Sequence, residues 1–178
     1  AGAPGTLPTN WSQQGGGGLT RTIVGVGTED GIDYVEIRFA GTTSDGGMSL
    51  ACETTTQVVA ANGEQWSFGG FTALVAGSWA NVNFAYFEIV ERTAAGSFIK
   101  LTAGNNFKVA GASLVRRRQT NILSGGGTVG RVQPRFGWTW ANGVAIDFTV
   151  RLGWPQFEKA PDLTSPIRTS GAAATRAA

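Results

Sequence analysis

A two-residue alternation of apolar and polar positions is the most regular pattern along this chain. In the stretch 34–39, the apolar residues Val35, Ile37 and Phe39 alternate with aromatic and charged ones, as in a strand that buries one face. Runs rich in β-branched and aromatic residues predict strands over 20–26, 34–39, 48–53, 65–75, 82–91, 97–101, 113–123, 131–136 and 144–154. No run has the periodicity of an amphipathic helix.

Short turn sequences separate these runs and indicate the class of fold. Each of them ends in glycine, as hairpin turns often do: 29–31, 62–63, 94–96, 124–127 and 142–143. A Gly69-Gly70 pair inside one predicted strand indicates a β-bulge. About nine or ten strands at spacings of roughly 10–15 residues are typical of sandwiches. We therefore expect an all-β fold, an antiparallel two-sheet β-sandwich of jelly-roll type, with an up-and-down barrel as the alternative.

The chain divides into three segments by composition. Its 178 residues are enough for one domain with its own core. Residues 1–18, which end in four glycines, predict an extended N-terminal lead-in that Trp11 ties to the domain. Residues 19–158 hold the predicted strands of the sandwich. Residues 159–178, rich in Pro, Ser, Thr and Ala, predict a C-terminal strap followed by a linker. A start at Ala1 without methionine indicates a processed product or a segment of a longer protein.

Residues that bind metals are scarce. The chain has no histidine, and its single cysteine, Cys52, lies in an apolar stretch, where a buried, inert thiol is expected. The acidic turn with Glu29, Asp30 and Asp33 could hold a structural calcium ion, because hard cations bind clustered oxygens. An ordinary polar turn is the alternative. No other cofactor is predicted.

The charge pattern argues against several classes of function. No apolar run reaches the roughly 18 residues that span a bilayer, so no membrane partner is expected. The formal net charge is only +2, and the triplet Arg116-Arg117-Arg118 is short for a nucleic-acid-binding arm. We interpret this triplet as a contact for an anionic glycan or a neighbouring subunit and expect no nucleic-acid partner. Glu36 and Asp147 could in principle form the carboxylate pair of a glycoside hydrolase, but no local motif supports catalysis, and no enzyme is predicted.

The predicted strand 131–136 carries a candidate binding face. Arg131, Gln133 and Arg135 occupy alternate positions and share one face, with Val132 and Phe136 on the other. A guanidinium group donates two parallel hydrogen bonds, which suits vicinal hydroxyls and sugar carboxylates. The alternative is an ordinary solvated sheet face, since polar-out alternation is usual in antiparallel sheets.

Tryptophan is abundant, with six residues in the chain, and exposed indole rings stack on the apolar face of a pyranose. Trp138 and Trp140 follow the candidate strand, and Trp79 lies in a turn-like sequence. For each of them, burial in the core is the alternative. The predicted carbohydrate-binding residues are Arg131, Gln133, Arg135, Trp138, Trp140 and Trp79.

Several sequence motifs resemble a known family. The stretch RLGWPQFE at 151–158 and the segment TSPIRTSGAAATRA at 164–177 look like the closing signature of a recurring bacteriophage module. The segments 8–11, 31–42 and 63–68 are also similar to that group, although each is individually less specific. The chain thus resembles the carbohydrate-binding-module-like jelly-roll domain of bacteriophage, prophage and gene-transfer-particle tail-fibre, head-spike or tail-tip proteins.

The resemblance implies a function and a setting. It implies a non-catalytic, lectin-like module of a phage-type fibre or spike that recognises cell-surface or capsular polysaccharide. The expected location is the virion or the extracellular space. The expected partners are polysaccharide and other virion proteins or covalently linked domains, with a homo-oligomer as an option. The alternative is a structural decoration or adaptor subunit of a virion, with protein–protein contacts only.

Overall fold

The computed structural model describes residues 5–108 and 111–166, and this part of the chain contains strands and turns but no helix. No membrane-spanning helix therefore occurs within it. Its strands are β1 (Ser12–Gly15), β2 (Leu19–Glu29), β3 (Ile32–Thr42), β4 (Gly47–Ala51), β5 (Val58–Val59), β6 (Gln65–Gly77), β7 (Val82–Arg92), β8 (Phe98–Ala103), β9 (Val115–Ile122), β10 (Arg131–Trp140) and β11 (Ala145–Glu158).

The strands form two antiparallel sheets. Sheet A has the order β1-β4-β10-β7-β8, with the short β5 paired to β10, and sheet B has the order β2-β3-β11-β6-β9. Strands that are distant in sequence pair in both sheets, as in Greek-key arrangements. The predicted all-β, two-sheet jelly-roll sandwich is confirmed, and the barrel alternative is wrong because the strands divide into two separate sheets.

The core is an aromatic cluster between the two sheets. Trp138 of β10 lies 5.6 Å from Phe39 and 6.0 Å from Phe148 of sheet B, measured between ring centroids. Trp138 is 1% exposed, and Trp140 is also buried. The prediction that these two indoles are exposed is therefore wrong. Both occupy even positions of β10, which share their face with Phe136, and that face packs against sheet B.

The N-terminal lead-in is part of the sandwich. Ser12–Gly15 forms β1, which pairs with β4 at the edge of sheet A. Trp11 is half-buried, with its ring centroid 5.8 Å from that of Phe136, which confirms its expected packing on the domain. Sequence patterns missed β1 because its residues, Ser-Gln-Gln-Gly, have little strand propensity. Hydrogen bonds to β4 stabilise this strand despite its low propensity.

Cys52, as expected, is buried, and burial raises the pKa of its thiol.

The irregularity predicted at Gly69-Gly70 exists, but the extra residue lies on the neighbouring strand. Between the paired positions 69 and 71, β6 has one residue, whereas β11 has Trp154 and Pro155. Trp154 has a φ of 39°, a backbone conformation that non-glycine residues rarely adopt. Gly70 lets β11 approach closely at this bulge, because a Cβ at position 70 would stand 3.0 Å from the carbonyl oxygen of Gly153.

Residues 159–166 form a strap across the outer face of sheet B. Leu163 is buried over Gly69, where a Cβ would approach its Cδ1 to 2.6 Å. Arg118 pairs with Asp162 at 3.0 Å, and Arg116 donates to the carbonyl oxygen of Thr164. These two residues of the arginine triplet therefore hold the strap, and the expected glycan or subunit contact of the triplet stays a prediction. The predicted linker lies largely in residues 167–178, outside the described residues.

Candidate functional site

The outer face of sheet A contains a shallow depression at its centre. Odd-numbered residues of β10 and even-numbered residues of β7 share this face, because Arg135 pairs with Glu88 and Gly137 with Tyr86. Small residues of β4 and β10, including Ser49 and Gly137, leave a depression of about 310 Å³. It is lined by Gln14, Gly15, Gly47, Met48, Ser49, Glu88, Arg135, Trp138 and Thr139, of which Met48 and Trp138 belong to the buried core.

One half of the face beside this depression is covered by loops. Gln133 is 1% exposed, and its Nε2 donates to the carbonyl oxygen of Glu53 at 2.6 Å in the loop 52–57. The turn between β7 and β8 reaches the same region, since Arg92 Nη1 donates to the carbonyl oxygen of Gly96 at 2.7 Å. The expectation that Gln133 presents its amide to solvent is therefore wrong. Its side chain holds a loop down on the sheet.

Two guanidinium groups converge on the side-chain oxygen of Gln133. Arg92 donates to this Oε1 through Nε and Nη2, at 3.0 and 2.9 Å. Arg135 donates to the same atom through Nε and Nη2, both at 3.0 Å. The alternation of positions 131, 133 and 135 on one face is confirmed, but hydrogen bonding within the face orients the side chains. Arg131 is half-buried, and its Nη1 donates to Gly130 O at 3.2 Å.

Arg135 and Glu88 lie directly opposite each other on β10 and β7. Among the described residues, however, no ion pair within 4.0 Å joins their side chains. Arg135 turns toward Gln133, and Glu88 turns the other way and accepts a 2.8 Å hydrogen bond from Ser49 Oγ. Gly137 makes this second turn possible, since a Cβ there would stand 2.0 Å from Glu88 Oε1. The depression consequently has a cationic donor and an anionic acceptor side by side.

Burial shifts the pKa values of both groups. It lowers the pKa of Arg135 to about 10, with a further reduction from the nearby Arg92 and an opposing effect of Glu88. Burial also raises the pKa of Glu88, although the Ser49 hydrogen bond and the charge of Arg135 oppose the shift. Desolvation disfavours the charged form in each case.

Glu88→Gln tests this burial. Consider pH values between the pKa of Glu88 in the unfolded state and its higher pKa in the native state. In this window the native state binds more protons than the unfolded state, so the unfolding free energy of the wild type falls as pH rises. We expect Glu88→Gln, which keeps a partner for Ser49, to be more stable relative to the wild type at about pH 8 than at about pH 4. Urea unfolding of both proteins at the two pH values measures the difference. An equal difference at both pH values would contradict the assignment.

An aromatic pair lies next to the depression. Phe84 is 50% exposed, and its ring stacks on that of Tyr86 with centroids 5.9 Å apart and planes 18° apart. Tyr86 Oη and Thr139 Oγ1 are 3.4 Å apart, which connects the pair to the lining. Sequence reasoning missed both aromatics because 82–91 is apolar on its two faces. The even spacing of Phe84, Tyr86 and Glu88 was the available signal.

Trp79 lies elsewhere in the fold. It occupies the loop between β6 and β7, is half-buried, and packs on Phe148 with ring centroids 5.1 Å apart. It does not line the depression. Of the six predicted binding residues, the structure thus places Arg131, Gln133 and Arg135 on one face, and only Arg135 has a polar side chain in the depression.

Two of the three acidic residues considered for metal binding, Glu29 and Asp33, have other partners. Glu29 accepts hydrogen bonds from Arg151 Nη1 and from the backbone N–H of Leu114, at 2.9 and 2.7 Å. Asp33 accepts one from Thr28 Oγ1 at 2.8 Å. Within residues 5–108 and 111–166, no group of three or more His, Cys, Asp or Glu side chains could hold a metal ion. A calcium ion at Glu29, Asp30 and Asp33 stays a prediction.

The outer face of sheet B has a second depression, of about 630 Å³, whose lining includes Glu36, Arg38 and Asp147. Glu36 pairs with Arg151 at 2.8 Å, and Asp147 forms a two-bond pair with Arg38 at 2.8 and 2.9 Å. The hydrogen bonds from Arg38 lower the pKa of Asp147. Each carboxylate considered for hydrolysis is therefore bound to a guanidinium group.

Comparison with known proteins concerns the fold. No protein family and no curated protein matches the chain. Among solved structures, it is similar to a carbohydrate-binding module of the β-sandwich superfamily studied for promiscuous specificity (TM-score 0.55, 13% identity). The alignment covers 86% of this chain and 58% of that one. The fold is that of the β-sandwich carbohydrate-binding modules.

Two further structures have the same fold. The CBM22-1 xylan-binding domain of Paenibacillus barcinonensis Xyn10C has a TM-score of 0.52 and 16% identity, with 88% of this chain and 96% of that one covered. The enzymatically active domain of bacteriophage CBA120 tailspike protein 4 has a TM-score of 0.53 and 12% identity. That alignment covers 84% of this chain and 19% of the tailspike. The chain thus spans a small part of the tailspike and somewhat over half of the first module.

Proposed function

We propose that this chain is a non-catalytic carbohydrate-binding module of a phage-type fibre or spike, which recognises cell-surface or capsular polysaccharide. The observation that carries the proposal is the stacked pair of the exposed Phe84 and the half-buried Tyr86 beside a polar depression on sheet A. Aromatic faces bind the apolar face of a sugar ring, and polar groups next to them bind its hydroxyls.

The polar groups of the depression are suited to hydroxyl recognition. Arg135 supplies donors, Glu88 supplies an acceptor, and Gln14, Ser49 and Thr139 can do both. An open depression leaves much of a bound sugar in water, and each hydrogen bond exchanged with water contributes only about 1 kcal/mol. Binding at a single site is therefore weak, and several copies on one particle would raise the avidity.

The proposed function assigns no catalysis to this face. Glycoside hydrolysis generally requires two carboxyl groups on either side of the scissile bond, and Glu88 is the one carboxylate among the residues that line the depression. The similar tailspike chain is described as an enzymatically active domain, but the likeness covers 19% of it.

The phage setting rests on two observations. One is the closing sequence signature at 151–177, and the other is the structural similarity to part of a bacteriophage tailspike. In that setting the module would lie on the virion or outside the cell. Its partners would be polysaccharide, other virion proteins or covalently linked domains, and other copies of itself.

A polysaccharide array with two variants tests the binding proposal. We expect the wild type to bind a subset of bacterial capsular and cell-surface polysaccharides. Phe84→Ala and Tyr86→Ala should each weaken that binding by about tenfold, equivalent to roughly 1.4 kcal/mol. Phe98→Ala is the matched control, since Phe98 is an exposed aromatic of β8 outside the depression.

The alternative, a structural decoration or adaptor subunit, has some support of its own. Val59, Phe98 and Leu101 are exposed apolar residues of sheet A, of the type found in protein interfaces. Binding of no polysaccharide, together with an oligomer that Phe98→Ala dissociates, would favour this alternative. Equal loss of binding in Phe84→Ala and Phe98→Ala would place the sugar outside the depression.

A further inference from the structure

We propose that the polysaccharide bound at this face is acidic and that Arg135 binds a sugar carboxylate in the depression. The inference rests on the proposed function and adds the chemical class of the ligand. It depends on how charge is arranged on the outer face of sheet A, which differs from the arrangement on sheet B.

Cations on this face outnumber the anions that face them. The outward-facing positions of β10 and β7 carry three arginines, Arg131, Arg135 and Arg92, and one carboxylate, Glu88. Among the ion pairs of residues 5–108 and 111–166, none includes any of these three arginines. On sheet B, by contrast, Arg38 and Arg151 are each paired with a carboxylate at 2.8 Å.

The positions of the three arginines make their charges interact unfavourably. Arg92 and Arg131 lie directly opposite each other on neighbouring strands, and like charges in that position are destabilising. Arg92 and Arg135 share the oxygen of Gln133 and are both largely buried. The oxygen of a neutral amide can accept hydrogen bonds but does not neutralise two cations. A bound anion would relieve this repulsion.

The carboxylate that could neutralise Arg135 is held away from it. Glu88 bonds to Ser49 on the far side of β10, through the space that Gly137 leaves open. Arg135 instead donates through Nε and Nη2 to the amide oxygen of Gln133. No hydrogen bond from its Nη1 occurs within the described part of the chain. Arg135 is 7% exposed, and it is one of the residues that line the depression.

A carboxylated sugar matches this arrangement better than a neutral one. Its carboxylate would accept charge-assisted hydrogen bonds from Arg135, and these are stronger than bonds to a hydroxyl. Ser49, Thr139 and Glu88 would bind hydroxyl groups of the same ring, and the Phe84–Tyr86 pair would pack on the ring itself. The lowered pKa of Arg135 leaves it fully charged at neutral pH, so the donor is available under ordinary conditions.

Chemical reduction of the ligand tests the proposal. The probes are bacterial capsular polysaccharides that contain uronic acids, each compared with its carboxyl-reduced, neutral derivative. We expect the wild type to bind carboxylated polymers at least about tenfold more tightly than their reduced forms. Added salt should weaken binding of the carboxylated polymers and leave binding of the neutral polymers nearly unchanged.

Variants of Arg135 assign the effect to one residue. Arg135→Gln should abolish the preference for the carboxylated form, and Arg135→Lys, which keeps the charge without the planar fork, should retain part of it. Arg38→Gln is the control, because Arg38 is an exposed arginine on sheet B, and it should behave like the wild type. Melting temperatures of all three variants show whether each is folded.

The outcomes separate this proposal from the proposed function. Equal binding of carboxylated and reduced polymers by the wild type overturns the acidic ligand but leaves carbohydrate binding in place. An unchanged preference in folded Arg135→Gln overturns the role of Arg135. Absence of binding to every polysaccharide, neutral or acidic, overturns both proposals.

Discussion

Replacement of Trp138 by alanine is expected to lower the free energy of unfolding by about 3–5 kcal/mol, as truncation of large buried aromatics does. Trp138 is 1% exposed and contacts the rings of Phe39 and Phe148 in sheet B and of Phe136 in sheet A. Its removal takes away these contacts and leaves a cavity that rigid strands on either side cannot close. Urea unfolding followed by circular dichroism measures the loss.

The control for Trp138→Ala is Phe84→Ala, another aromatic truncation in sheet A. Phe84 is half-exposed on the outer face, so this variant should lose less than about 1 kcal/mol. The pair thus separates an aromatic residue of the core from one proposed to bind sugar. A small loss for Trp138→Ala, with reduced polysaccharide binding, would instead support the sequence-based assignment of Trp138 to the binding site.

The second large effect is expected for Gly77→Ala. Gly77 has a φ of 72°, and a Cβ there would stand 2.3 Å from the carbonyl oxygen of Asp147. The same oxygen accepts a 3.1 Å hydrogen bond from the backbone N–H of Ser78. The variant therefore combines a backbone penalty of roughly 1–2 kcal/mol with a clash of roughly 1–3 kcal/mol. We expect a loss of about 2–5 kcal/mol in urea unfolding.

Gly143 supplies the matched control for this substitution. Its φ is 78°, close to that of Gly77, but nothing lies within 4 Å of a Cβ at this position. Gly143→Ala should then show the backbone penalty alone, about 1–2 kcal/mol. Equal losses in the two variants would mean that the pairing of β6 with β11 adjusts at Gly77 without cost.

The fold was predictable because strand periodicity and turn chemistry agree along most of the chain. The alternation at 34–39 also places Glu36 and Arg38 on one face, and in the structure these two residues pair with Arg151 and Asp147 on the outer face of sheet B. The polar β1 and the two-residue β5 were not predictable. Neither has a pattern of its own, and each depends on a partner strand that is distant in sequence.

The site was only partly predictable, because exposure depends on contacts between distant segments. Alternation correctly placed Gln133 and Arg135 on one face, but no local pattern shows that the loop 52–57 covers Gln133. The same alternation placed Trp138 and Trp140 on the face of Val132 and Phe136, which was already the expected buried side. Consistent use of that pattern would have assigned both indoles to the core.

Phe84 and Tyr86 illustrate a different limit. An apolar residue on a strand that is apolar on both faces can point toward the core or toward solvent, and the two cases have the same sequence pattern. Pairing with Thr139 and Gly137 on β10 decides which face they occupy. That pairing involves residues more than fifty positions apart along the chain.

The strap determines how the module would respond to mechanical load. Its contacts, among them Arg118–Asp162, Leu163 over Gly69 and the Ser67 hydroxyl to Ala160 O, lie across β6 and β9. A force that pulls on the chain after residue 166 would reach these contacts before it reaches the hydrogen bonds of β11. The strap would then detach reversibly under load and rebind when the load is released, while the sandwich and its binding face remain folded.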